Sequence, residues 1–227
     1  MKRLLLALIV LGSAQALTAQ TEASKEKPPF QPPETLSVTD ITVPFLSVAN
    51  GTVVLDALIS DTGEIQGVEV RRGIASLTEP ATNAVEEWKF SAATLAGKAL
   101  ASRLPVAVTF RPPLLLADQV PLPALKPQTE AAIQAEFQPA EVTRAAFPKY
   151  PTNSFAAGAV VLEVTLNRKG EVEEDVKVLR DLPPLTEEAM AVVGNFRFMA
   201  ATFNGNPVPS KVVLAFVFRP PATTTYP

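Results

Sequence analysis

The sequence predicts an α+β fold of two tandem small two-layer modules. Each is expected to be a three-stranded antiparallel sheet, in the order β-β-α-β, covered by its helix. Three observations predict it. The chain repeats itself in one register, 107 residues apart. Each repeat opens with two alternating apolar runs around a Gly. Each then carries one apolar stripe at helical spacing.

The repeat comes first because it sets the boundaries. Phe30-Gln31-Pro32 recurs as Phe137-Gln138-Pro139, and Gly51-Thr52-Val53-Val54-Leu55-Asp56 as Gly158-Ala159-Val160-Val161-Leu162-Glu163. Gly63-Glu64-Ile65 recurs as Gly170-Glu171-Val172. One inserted residue near Glu174 or Asp175 then shifts the offset to 108. From there 19 of 46 positions are identical between residues 68–113 and their counterparts, a register too long for chance. The expected organisation is a signal peptide (1–19), a Pro-rich tether (20–36), module one (37–113), a Pro-rich linker (114–136), module two (137–221) and a tail (222–227). The linker is expected to hold no more than a turn or two of helix.

Within a module, strand one is clearest in the second copy. Val160, Leu162, Val164 and Leu166 alternate with Val161, Glu163, Thr165 and Asn167, which predicts one buried face. Val53, Leu55, Ala57 and Ile59 repeat it. Gly63 and Gly170 sit in short polar stretches and predict hairpin turns. Strand two points Val68 and Val70, or Val176 and Val178, inward, and Ile65 breaks the alternation in a way that suggests a bulge. Leu77, Ala81, Ala84, Val85 and Trp88 form one helical face, as do Leu185, Ala189, Val192, Val193 and Phe196. Thr78 or Thr186 is placed to cap the helix, and Ser76 with Glu79 forms an alternative capping box. Leu104, Val106, Val108 and Phe110 define strand three, matched by Val212, Leu214, Phe216 and Phe218.

The N-terminus reads as an address. Lys2-Arg3 precedes the apolar run 4–11, and Ala14-Gln15-Ala16 fits the small-x-small cleavage rule, with Ala19 as a second point. The expected mature chain is periplasmic or secreted and begins near Leu17 or Gln20. A membrane anchor is disfavoured by length, since residues 4–17 span only ~21 Å of helix against a ~30 Å hydrocarbon core. Pro is abundant, 22 residues against 10 Gly, so part of the length is extended connector.

Composition excludes whole classes of chemistry. The chain has no Cys and no His. Disulfides, thiol catalysis, zinc–thiolate sites and His-based triads therefore cannot be built. A net charge of −3 without a basic stripe gives no sign of a nucleic-acid partner. No cofactor, no tightly bound transition metal and no enzymatic activity are expected. Glu171, Glu173, Glu174 and Asp175 lack the alternating ligands of a calcium loop and are expected on a solvated hairpin edge.

The residues reached so far resemble the C-terminal domain of TonB-type energy transducers. The second copy carries the pattern as Tyr150-Pro151, Gly158, Gly170-Glu171, Leu185-Thr186, Ala189, Phe196-Arg197-Phe198, Gly205-Asn206-Pro207-Val208 and Phe218. The first carries most of it, with Trp88-Lys89-Phe90 and with Val43-Pro44 in place of Tyr-Pro. The resemblance implies a periplasmic domain that pairs with a short extended peptide of a TonB-dependent outer-membrane receptor. It also implies a sheet with strand one central and strands two and three at the edges. The chain departs from the family where Lys149 stands in place of a Gln before Tyr-Pro, and in having no His for a coupling membrane helix.

Edge chemistry then selects a candidate site. Strand two of the second copy carries Glu173, Glu174 and Asp175, and strand three of the first contains Pro105. Both discourage strand addition. Strand three of the second copy has no Pro, and its outward side is apolar. The candidate peptide-binding residues are therefore Ser210, Lys211, Val213, Ala215 and Val217, with Tyr150 and Pro151 beside them. The alternative reading of Tyr150 and Pro151 is a turn with a packing role. Three functions follow: a module that binds an extended peptide or envelope protein, a structural repeat that packs on itself or forms a homodimer, and an unusual enzyme. The residue inventory disfavours the last.

Overall fold

The computed structural model describes residues 30–44, 47, 49–111, 119–121, 126, 136–151 and 154–219. The expected signal peptide, the tether up to residue 29, most of the linker and the tail lie outside these residues. The first copy runs β1 (Phe30–Gln31), β2 (Thr35–Ser37), β3 (Gly51–Ile59), β4 (Ile65–Arg72), α1 (Thr78–Glu86), β5 (Lys89–Phe90), β6 (Ala93–Leu95), β7 (Lys98–Leu100) and β8 (Ser102–Phe110). A strand in the linker follows, β9 (Gln119–Pro121). The second copy runs β10 (Phe137–Gln138), β11 (Glu141–Ala146), β12 (Gly158–Leu166), β13 (Val172–Arg180), α2 (Leu185–Val193), β14 (Arg197–Met199), β15 (Thr202–Phe203), β16 (Asn206–Pro207) and β17 (Ser210–Phe218).

The architecture is α+β, mostly sheet with two short helices. The two hairpins form where the alternation places them. The turn glycines Gly63 and Gly170 have φ of +86° and +78°, and a Cβ on either would sit 2.8 Å from the carbonyl of Phe90 or Phe198. The β3–β4 register skips from Leu58↔Gly67 to Ile59↔Ile65, so the strand bulges beside Ile65. The helices bury the predicted stripe, with Leu77, Ala81, Val85 and Trp88 under the first copy and Leu185, Ala189 and Phe196 under the second. Capping differs from expectation. Neither helix has a side-chain cap at its N-terminus. Thr78 Oγ1 instead accepts from the Ile74 amide and Thr186 Oγ1 from the Leu182 amide, each at 2.8 Å, tying down the turn before the helix.

The main correction concerns the sheets. The two copies do not keep separate three-stranded sheets. Their long strands form one six-stranded sheet in the order β13-β12-β17-β8-β3-β4. The seam is β17 against β8, paired in parallel from Val213↔Val106 to Val217↔Phe110. Pro105 lies just outside that stretch, where it removes no seam hydrogen bond.

Parallel pairing of equivalent strands turns one copy over relative to the other. Val212, Leu214, Phe216 and Phe218 pack with α2, whereas Val213, Ala215 and Val217 pack with α1. The helices therefore lie on opposite faces. The strands expected to bury one face bury both, because the back of each copy becomes core for the other. The physical cause is the apolar back face itself: Ala159, Val161, Val213, Ala215 and Val217 have to leave water.

Each copy's leading segment completes this cover by crossing to the other copy. Phe30 and Phe137, one repeat apart, stack with ring centroids 4.8 Å apart. Residues 30–36 were expected to be tether, but Phe30 is 1% exposed and Thr35 is fully buried. Val178, expected to face inward, is 42% exposed at the outer strand β13. The linker holds a strand rather than only helical turns, since β9 pairs with β11.

Candidate functional site

The seven sequence-selected residues do not assemble on an open edge. β17 is flanked on both sides, by β12 over its whole length and by β8 from Val213 to Val217. Val213, Ala215 and Val217 lie in the core beneath α1. From Val213 to Val217 the first copy already occupies the edge expected to take a peptide. Ser210 is buried, with its hydroxyl unpaired. The Tyr150 hydroxyl donates to the Ala156 carbonyl at 2.8 Å, and its ring lies near Phe218 and under Arg111. Pro151 accepts from the Ser154 amide. In the structure Tyr150 and Pro151 lie in a turn, with the Tyr150 ring packed beside Phe218.

Lys211 belongs to a different constellation, the charged crossing. Its ammonium donates to Glu34 at 2.8 Å and to Glu163 at 3.0 Å. Burial opposes its charge, but the hydrogen bonds and charges of Glu34 and Glu163 prevail and raise its pKa. Glu163 Oε2 also accepts from the Thr35 amide at 2.6 Å. Glu163 sits in β12 of the second copy, while Glu34 and Thr35 lead the first. The repeat builds the counterpart at Asp56. This carboxylate lies 3.5 Å from Arg71 and 4.0 Å from Arg103, and Arg71 in turn reaches Glu141 of the other copy's leading segment at 3.5 Å. Burial pushes the Asp56 pKa up to about 6, and the two distant guanidinium groups offset this only in part.

The two crossings also differ at Arg180 and its counterpart. Arg180 is paired with Asp40 at 3.1 Å and donates Nε to the Ala159 carbonyl. Its counterpart Arg72 has Nε and Nη1 buried without a hydrogen-bond partner, and burial lowers its pKa. The residue matching Asp40 one repeat on is Phe147, which offers no carboxylate.

Among the described residues no three Asp or Glu side chains converge as a metal site. The acidic hairpin residues Glu171, Glu173, Glu174 and Asp175 are exposed. No helix among the described residues is long and apolar enough to cross a membrane.

What the arrangement offers chemically is main-chain edges. β4 and β13 end the large sheet. β2 is paired only with β5, whereas β11 is paired on both sides, by β14 and β9. The sequence patterns could not find the edges of β2 and β11, because β2, β5, β9, β11 and β14 are two to six residues long and lack a readable alternation.

A family model described as the Gram-negative bacterial TonB protein C-terminal matches residues 48–112 and 143–220, together more than half of the chain. The two segments are consistent with tandem copies. No curated protein and no solved structure matches.

Proposed function

From the premise that the chain belongs to the family of the Gram-negative bacterial TonB protein C-terminal, we propose that it is an exported, non-catalytic envelope protein that binds extended segments of other envelope proteins by strand addition. Its signal peptide is cleaved near Leu17 or Gln20, and the mature protein works in the periplasm. Outer-membrane receptors of the TonB-dependent class are the partners that the family membership suggests. The observation that carries the reading is the state of the edges. The chain itself lays the three residues of β9 along β11, so edges of this kind accept an extended segment.

A second reading is a structural repeat with no transport role. The sealed β17–β8 seam favours it, because the two copies consume the third-strand edges that the family resemblance would offer to a partner. One experiment separates the two. Affinity-tagged mature protein is cross-linked in the native envelope, and its adducts are identified by mass spectrometry. The binding reading expects a recurring outer-membrane transporter. Recovery of only this chain, alone or as a homodimer, favours the structural one.

A further inference from the structure

The two copies are treated unequally at one pair of equivalent edges. In the second copy β11 pairs with β14 on one side. On the other it takes β9, with Arg144↔Pro121, Ala145↔Val120 and Ala146↔Gln119. The linker then reaches outer strand β4, where the Lys126 amide donates to the Arg71 carbonyl at 2.9 Å. Described linker residues thus meet both β11, through 119–121, and the end of β4, through Lys126.

In the other half, no main chain among the described residues occupies the matching path. Residues 37–39 correspond to 144–146 at the repeat offset of 107. Ser37 pairs with Lys89 of β5. Among the described residues no main-chain hydrogen bond reaches residues 37–39 on the side where β9 would lie. Leu36 beside them is 62% exposed, and it is the one exposed large hydrophobic of the first copy among the described residues. Its counterpart is Thr143, whose hydroxyl is spent on the Arg197 carbonyl at 2.9 Å. At the far end, Leu179 of β13 corresponds to Arg71 at an offset of 108, and no described residue meets its carbonyl as Lys126 meets that of Arg71. Between these two ends, among the described residues, only side chains join the leading segment to β13, Lys177 to the Thr35 carbonyl and Arg180 to Asp40.

Resting on the binding function above, we propose that this path docks an extended, proline-tolerant segment of a partner protein. The segment adds as a short strand to residues 37–39 and sets an apolar side chain against Leu36. The occupied copy indicates the occupant. β9 is Gln-Val-Pro, and prolines follow at 123 and 127, so what fits is a segment that cannot be helical. Main-chain pairing supplies the attachment, and Leu36 supplies selectivity for an apolar residue.

The probe is a fluorescent peptide of residues 115–127 of this chain, which contains the three β9 residues that pair with β11, titrated into the full mature protein. Saturable binding is expected. Val38→Pro in the protein should weaken it at least tenfold, as should N-methylation at the peptide's Val120 position, which leaves the protein untouched. A benzophenone at position 36 should cross-link the peptide. Absence of saturable binding at millimolar peptide, binding indifferent to both changes, or cross-linking from position 143 instead would overturn the proposal. The last outcome would mean exchange with the chain's own linker. The two proposals fail separately. Envelope partners still captured by Val38→Pro would leave the binding function standing and remove this edge. Peptide docking at residues 37–39 without envelope partners would do the reverse.

Discussion

At the scale of single residues, Asp56 sets a pH dependence. The residue is 3% exposed, and burial raises its pKa from 3.8 to about 6. Between pH 4 and 6 the folded state therefore binds more protons than the unfolded state, so stability falls as pH rises through this window. Over ~2 units at ~1.4 kcal/mol each, the loss is of order 2–3 kcal/mol. Asp56→Asn should abolish it. Denaturant midpoints of both proteins, compared from pH 4 to 7, should converge or cross as pH rises, and parallel curves would refute the assignment. Arg72 makes a second case. Its Nε and Nη1 are buried without partners, so Arg72→Met should be neutral or stabilising. Arg180→Met, which loses the Asp40 pair and the Ala159 bond, should cost about 0.5–1 kcal/mol. Equilibrium unfolding reads both, and equal costs would contradict the asymmetry.

At the scale of elements, the small hairpins carry a correctable strain. The β15–β16 turn uses Asn204-Gly205 with φ of 48° and 76°, whereas the β6–β7 turn places Ala96 at 49° before Gly97 at 82°. Two positive φ values in a row suit Asn-Gly, and Ala is strained there. Ala96→Asn should raise stability by about 0.5–1 kcal/mol, visible as a higher melting temperature. A lower one would show that Ala96 is held by its surroundings. The seam makes the opposite forecast. Val213 is fully buried in a strand paired on both sides, so Val213→Pro should cost at least ~2 kcal/mol in lost hydrogen bonding and packing. Val178→Pro, on outer strand β13, should cost clearly less. Similar losses in chemical denaturation would mean that the seam is not closed in solution.

At the scale of the whole molecule, the two copies behave as a dimer fused into one chain. They share one sheet, and their leading segments cross. Arg111 of the first copy donates to the Pro148 carbonyl at 3.0 Å, and Arg219 of the second, its repeat counterpart, bonds the Ser47 and Ala49 carbonyls. A protease site inserted after residue 130 and then cut should leave both halves co-eluting in gel filtration under native conditions. Separated halves should unfold, because each would return its apolar back face to water. Two folded monomers after cleavage would overturn this account.

The sequence by itself determined each module's long strands, turn glycines and helix stripe. Val53, Leu55, Leu77 and Trp88 bury along patterns read within a few residues of one another, since local periodicity selects the face that leaves water. It also determined the family and the duplication, because one register holds over the repeat. Only the tertiary structure decided which edges stay open. Val213, Ala215 and Val217 read as an apolar side needing cover, and the pattern carried no term for what would cover them. The cover came from the first copy's β8 and α1, more than a hundred residues away in sequence. The same holds for Asp56 and Glu163, polar members of an alternating run that read as solvent-facing. Each is paired with cations of its own copy, but segments from the other copy cover them: the Thr35 amide donates to Glu163, and Glu141 meets the Arg71 beside Asp56. Alternation along one strand cannot register a segment that arrives from another repeat.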